Sequence, residues 1–521
     1  MPILIGDALR WHATYTPGKT AIVSTRGSAS YADLWSRAIR LADGLRSLGI
    51  TSGERVAALL MNGAPYIELY HAAALLGAAV VPLNFRFVGH EIEYVMNHSG
   101  ARVLVLDAAF AGTVGAIREQ LTAPGLRFVV VGEGDSKPAA AQISDAVDYD
   151  ALIAASSVTE WWEPADPDAC FFQGYTSGTT GFPKGCVNPH RPFADCLRRL
   201  ATIYRITQDD VELVAAPLFH EAPALFALTQ TMRGGTLVVT ADTTPANLLR
   251  LVQDHKVTWA FMVPTMWTTL VMSPEVDKFD HSSLRTLISG GSALQTRTKH
   301  ALIEKFPSAG LNEFYGGTEV GLVSNLGPED QMRKVRSVGR PVMGMFVELR
   351  DETGKPVPQG EVGEIHIGGS TLIREYYRNP EATARSRSDR GFFTLGDLGR
   401  FDEEGYLYIV DRKNDMIISG GENIFPNDIE DVLFAHPGVA MVAVVGAPDE
   451  RWGEIVTAVV VPKPDAQVDE ETLIAHCKER LSGFKVPRRI VFRDQLPLSS
   501  FGKILRREVR KEFWEGRDVK V

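Results

Sequence analysis

GYTSGTTGFPKG, Gly174 to Gly185, gathers glycines, four Ser/Thr hydroxyls, one proline and one lysine into a single stretch. Such a loop turns backbone N–H groups toward an anion, and its hydroxyls donate to phosphate oxygens without adding fixed charge. Lys184 supplies one cation. The pattern G-x-x-x-x-G-K-[ST] is not met, because Lys184 follows Pro183 and precedes Gly185, so a P-loop is excluded. A flexible connector reads equally well from these residues alone. The surrounding chain has to decide.

Outward from this stretch, short apolar runs alternate with helical periodicity. Ser30 caps a helix whose apolar positions Trp35, Ala38, Leu41, Ala42, Leu45 and Leu48 share one face, and Gly49 ends it. Asp33 gives that start a weak capping box. RVAALLM, ARVLVLD and RFVVVG read as buried strands. TLVVT is followed by Thr244 as cap, Pro245 at the first helical position, and Leu248, Leu249 and Val252 as a buried face; VTWAFMVP then returns as a strand. Strand, helix, strand repeated in this way predicts an α/β fold with a mostly parallel sheet and flanking helices. The grammar changes after Asp411. VAMVAVVG and IVTAVVVP flank a loop, APDERWGE, and a helix follows with Leu473, Ile474, Cys477 and Leu481 on one face. The expected organisation is a large N-terminal domain, residues 1–411, and a small α+β C-terminal domain, residues 412–521, of a size that folds alone.

The bulk numbers narrow the function. The chain has 521 residues and a net charge of -10, which argues against nucleic acid as the main partner, since such binders carry a basic stripe. The four cysteines are too sparse for a disulfide framework and fit a reducing compartment. The N-terminus lacks a signal-peptide pattern, and no apolar run reaches the length of a membrane helix, so a soluble cytoplasmic protein is expected.

Further motifs stand in order along the chain: GGSALQ (Gly290 to Gln295), NEFYGGTE (Asn312 to Glu319), FFTLGDLGR (Phe392 to Arg400), DRKNDMIISGGEN (Asp411 to Asn423) and PLSSFGKILRR (Pro497 to Arg507). Each alone is modest. Together with the opening stretch they resemble the adenylate-forming acyl-CoA synthetases, kin to 4-coumarate and benzoate CoA ligases, luciferases and the adenylation domains of peptide synthetases. The resemblance covers nearly the whole chain. It implies a two-step ligase: a carboxylate attacks the α-phosphate of MgATP, giving acyl-adenylate and pyrophosphate, and the thiol of CoA then displaces AMP. Positioning and charge neutralisation dominate such chemistry, so lysines, hydroxyls and Mg²⁺ are expected at the site.

The resemblance also implies roles for particular residues. Thr176, Ser177, Gly178, Thr179, Thr180 and Lys184 match the family's loop over the β- and γ-phosphates. Glu319 matches the Mg²⁺ carboxylate, with Thr318 on the phosphates. Tyr315 would stack on adenine, lined on its other side by Gly291, Ser292 and Ala293. Asp397 would accept the ribose hydroxyls, and Arg412 would reach the ribose too. Lys503 matches the lysine that bridges the attacking carboxylate and the α-phosphate. For the thioester step, Gly420 and Gly421 match the pantetheine tunnel, Trp452 and Phe484 the aromatics on the CoA adenine, and Arg86 a contact to the CoA phosphates. Those relatives carry an arginine where this chain has Val486, with Lys485, Arg488 and Arg489 nearby. The family rotates its small domain between steps about a pivot that is usually Asp or Lys; here it is Asn414.

The acid itself is less legible. His220 matches an aromatic gate beside the acyl carboxylate and is not an obvious general base, because the substrate is already ionised. Glu221 stands where many relatives have an apolar residue; it could face solvent, pair with an internal cation, or recognise a polar group of the substrate. Gly316 and Gly317 would leave space at the pocket floor, while Trp259, Met262, Met266 and Trp267 would supply bulk. An apolar acyl group is implied, aryl or fatty. Two alternatives remain: transfer to a carrier-protein thiol, and a catalytically silent nucleotide-binding relative. The oligomeric state stays open, a homodimer among the options.

Overall fold

The computed structural model describes residues 3–132, 143, 145–161, 163, 165–176, 183–388, 390–464, 466, 468–498 and 504–515. Ser177, Gly178, Thr179, Thr180 and Lys503 lie outside the described residues. The chain forms two compact units, Met1–Phe346 with Ile367–Phe393, and Val347–His366 with Thr394–Val521.

The first unit is built where the sequence places its strands and helices. The helix Tyr31–Ser47 starts on the expected box: Ser30 N–H donates to Asp33 Oδ2 at 2.9 Å, and Asp33 N–H donates to Ser30 Oγ at 3.2 Å. Ala38, Leu41, Ala42 and Leu45 are buried on its inner face. Thr244 precedes the helix Pro245–His255, which buries Leu248, Leu249 and Val252. Among the described residues this unit holds one nine-stranded and one eight-stranded sheet. In the first, Val211–Val214, Trp259–Met262, Thr286–Ser289 and Gly310–Gly317 are parallel neighbours. In the second, Arg55–Leu59 lies between the parallel strands Ala79–Pro82 and Val103–Asp107. Both faces of Arg55–Leu59, Ala79–Pro82, Val103–Asp107 and Trp259–Met262 are covered, which is why these strands read as unbroken apolar runs rather than alternating ones.

The second sheet ends differently. Cys170–Thr176 pairs antiparallel with Lys184–Pro189, so the two described ends of the opening stretch, Gly174–Thr176 and Lys184–Gly185, lie side by side. The short strand Glu375–Tyr376 then pairs with Lys184–Pro189, placing Tyr376 opposite Cys186.

The second unit contains the long antiparallel pair Val439–Asp449 and Gly453–Pro462. These strands run into the stretch expected as a loop, leaving only residues 450–452 to turn. Backbone pairing persists through Ala447–Asp449 whatever the side chains, and Asp449 Oδ1 closes the turn by accepting from the N–H groups of Arg451 and Trp452, both at 2.9 Å. The unit also begins earlier than residue 412. The strand Leu407–Arg412 is tied to the helix Pro426–Phe434: Asn427 N–H donates to Asp411 Oδ2 and Asn427 Nδ2 to the Val410 carbonyl, each at 2.9 Å. All four cysteines are free and buried. Among the described residues no helix is long and apolar enough to cross a membrane.

Candidate active site

Parallel strands present ligand-binding residues at their carboxyl ends, and the candidate residues cluster at the ends of four neighbouring strands. The register aligns Met262 with Ser289 and Ser289 with Glu313, so the segments that leave these strands emerge together. They are Gly290–Ala293, with Gly291, Ser292 and Ala293 exposed, and Thr318–Glu319, which follow the last strand residues Tyr315–Gly317. The neighbouring strand Val211–Val214 leads to His220 and Glu221 at the start of the helix Glu221–Arg233.

Glu319 is the best-defined group. It is 8% exposed, and two hydroxyls converge on one of its oxygens: Thr176 Oγ1 and Tyr376 Oη each donate to Oε1 at 3.0 Å. The other oxygen carries neither hydroxyl. A buried carboxylate held in this way, with lone pairs to spare, suits a hard divalent cation such as Mg²⁺. Lys184 Nζ sits 4.8 Å from the Tyr376 ring centroid, so the cation and the carboxylate meet across one tyrosine. Backbone contacts fix the segment: Asn188 Nδ2 donates to the Thr318 carbonyl at 3.2 Å, and Ile373 N–H to the Glu319 carbonyl at 2.9 Å. Thr176, Lys184, Thr318 and Glu319 are thus brought together. Tyr376 was not singled out from sequence; its position three residues before a helix-starting Asn-Pro pair signals only a turn.

The acyl-pocket residues divide. His220 is half-buried, its ring 4.0 Å from that of Phe219. Burial, and then the charge of Arg86, holds its imidazole well below the usual value. It is neutral near pH 7, as an aromatic gate requires. Glu221 does not face solvent: it is 8% exposed, and among the described residues no cation pairs with it. Burial, and then the charge of Glu319, raises its carboxyl well above the ordinary range. Met262, Trp259 and Trp267 are each 1% exposed. Met262 and Trp267 pack into the core between sheet and helices, and Trp259 Nε1 donates to Gln230 Oε1 at 3.1 Å. Gly316 leaves no open space either, since a Cβ there would strike the Gly321 carbonyl oxygen across the tight hairpin.

A raised carboxyl has a consequence for stability. A group whose folded-state pKa exceeds its unfolded one favours folding at low pH and loses that contribution as pH rises through the folded value. Glu221→Gln should therefore match the wild-type melting temperature near pH 4 and exceed it increasingly as pH climbs above the unfolded value of about 4.3 toward the raised one. Melting curves across pH 4–9 check this; parallel curves would mean that Glu221 is ionised in the fold.

In the second unit, Asp397 and Arg412 are cross-strand partners, with Arg412 Nε 3.4 Å from Asp397 Oδ1. Asp397 is 6% exposed. Asn414 lies in the turn closed by Asp415 N–H on the Arg412 carbonyl at 3.0 Å. Gly420 has φ +60, and a Cβ on it would stand 2.5 Å from Trp452 Cε3, so glycine is required there by the indole itself. Gly421, at φ +88, meets nothing within 4 Å. The Trp452 ring has the Arg488 guanidinium at 4.4 Å and that of Arg451 at 4.9 Å. Phe484 is 47% exposed beside Lys485, which pairs with Asp428 at 2.6 Å. In the first unit, Arg86 is exposed over the Phe85 ring.

Known proteins resemble the chain over nearly its whole length. Residues 9–377 match the family model of the AMP-binding enzymes, and residues 428–503 that of the AMP-binding enzyme C-terminal domain. The feruloyl-CoA synthase of an Amycolatopsis species is 38% identical, with 96% of this chain and 97% of that protein covered. The long-chain-fatty-acid–CoA ligase FadD13 of Mycobacterium tuberculosis is 35% identical over 98% of both. Among solved structures, ATP-bound MatB from Rhodopseudomonas palustris superimposes with a TM-score of 0.89 at 30% identity, covering 98% of this chain and 99% of that one. The chain belongs to the AMP-binding enzymes and is an adenylate-forming acyl-CoA synthetase.

Proposed function

We propose that the enzyme joins an apolar carboxylic acid, aryl or fatty, to CoA through an acyl-adenylate. The observation that carries this reading is the Glu319 carboxylate, held by Thr176 and Tyr376 beside Lys184. In the first step a carboxylate oxygen attacks the α-phosphorus of ATP, the bond to the β-phosphate breaks, and pyrophosphate leaves. Lys184 and the hydroxyls of residues 176–180 would hold the departing phosphates, Tyr315 the adenine, Asp397 and Arg412 the ribose, and Lys503 the attacking carboxylate. Mg²⁺ bound at Glu319 would neutralise phosphate charge. His220, neutral and packed on Phe219, would orient the acid without taking a proton.

In the second step the CoA sulfur attacks the acyl carbonyl and AMP leaves. Gly420, Gly421, Trp452, Phe484 and Arg86 are the residues we assign to CoA, with Asn414 as pivot between steps. Arg488 over Trp452 supplies the cation missing at Val486. The buried free thiols suit a reducing compartment, which we take to be the cytoplasm.

The test is AMP release from ATP and Mg²⁺ against acids from acetate through long-chain fatty acids to benzoates and cinnamates, with and without CoA. AMP that requires an acid and rises with CoA is the expected result. Pyrophosphate exchange without CoA stimulation would point to another thiol acceptor, and silence in both assays would sink the ligase reading for these acids.

A further inference from the structure

Tyr376 touches both charged groups of the phosphate site at once. It is 5% exposed, in the edge strand Glu375–Tyr376 paired to Lys184–Pro189. Its backbone N–H donates to Thr383 Oγ1 at 3.0 Å, and its ring packs 5.8 Å from that of Phe393, so neither end swings freely. Its hydroxyl donates to Glu319 Oε1, and its face carries the Lys184 ammonium.

Resting on the reading of Glu319 as the metal carboxylate, we infer that Tyr376 is a positioning residue that couples metal capture to phosphate capture. The hydroxyl, together with Thr176 Oγ1, occupies one carboxylate oxygen and fixes the rotation of the group, which leaves the second oxygen for the cation. The ring holds Lys184 by cation–π attraction, close to Glu319 yet short of an ion pair with it. A direct Lys184–Glu319 pair would compete with both the metal and the phosphates. Tyr376 keeps the two charges adjacent and available.

The experiment compares wild type, Tyr376→Phe, Tyr376→Leu and Glu319→Gln. Binding of Mn²⁺ with ATP is followed by electron paramagnetic resonance, binding of metal-free ATP by calorimetry, and the Mg²⁺ needed for half-maximal pyrophosphate exchange by activity; melting temperatures check the fold. Tyr376→Phe should weaken Mn²⁺ binding and raise the Mg²⁺ requirement several-fold, with metal-free ATP binding unchanged. Tyr376→Leu should weaken metal-free ATP binding as well, because Lys184 loses its platform. A Phe variant with reduced turnover or melting temperature but wild-type metal dependence would overturn the inference and leave Tyr376 a packing residue. Wild-type metal binding in Glu319→Gln would instead overturn the assignment of the metal to Glu319, and the inference with it.

Discussion

Lys503→Ala should slow acyl-adenylate formation by about 100- to 1000-fold, the loss typical of one preorganised donor at a centre of developing charge. ATP should still bind, because the residues assigned to adenine, ribose and the β- and γ-phosphates are untouched. Thioester formation from preformed acyl-adenylate should stay near the wild-type rate, since the lysine serves the attack on the α-phosphate and not the attack on the carbonyl. Among the described residues nearby, Leu498 and Ile504 form an antiparallel bridge, and Leu505 N–H donates to the Pro497 carbonyl at 2.9 Å. Single-turnover measurements of the two half-reactions check the prediction. Equal losses in both would remove Lys503 from the first step.

Much of this was legible in the chain, and the reasons are physical. Ser30 with Asp33 and Thr244 with Pro245 are local signals: a cap needs residues a few positions apart, and nothing distant competes with it. The buried parallel strands announce themselves because both faces are apolar. The motifs GGSALQ and NEFYGGTE stand out because they leave neighbouring strands at the same level, where a ligand must be met by loops.

What stayed hidden depends on residues far apart in sequence. Tyr376 reaches Glu319 through an edge pairing with Cys186, and no period or composition marks that pairing. Trp267 and Met262 stand beside a motif in sequence, yet strand and helix geometry turn them into the core. Gly420 was expected to border the pantetheine tunnel; what a Cβ on it would meet in this structure is Trp452. The expected start of the C-terminal domain at residue 412 followed a change of pattern, whereas the second unit reaches back to Thr394 and takes in Val347–His366 as well. A half-buried arginine helps to hold it at Asp411.

Arg506 begins the last helix, Arg506–Trp514, and gathers the segment around Asn414. Its Nη1 lies 3.0 Å from Asp411 Oδ1 and 3.4 Å from Asp415 Oδ2, its Nε donates to Glu430 Oε1 at 2.8 Å, and Nη2 bonds Asn427 Oδ1. Asp411 is 1% exposed, and burial raises its carboxyl to about 6 even with Arg506 pulling it down. Arg506→Leu should cost about 3–5 kcal/mol, because it strands a buried carboxylate without its cation. The loss must depend on pH. The Asp411 value already exceeds the unfolded one of about 3.9, so its contribution to folding fades as pH rises through 6. Without the guanidinium the folded value climbs further, and the variant should lose more stability at pH 8, where the group has to ionise, than at pH 5, where it stays protonated. Because Arg506 also joins the chain just after Lys503 to the turn that holds Asn414, adenylation should fall more than thioester formation at temperatures where the variant remains folded. Melting curves at the two pH values, with the half-reactions measured below the lower transition, check both parts. Equal destabilisation at pH 5 and pH 8 would mean that Asp411 is not the group Arg506 holds in its ionised form.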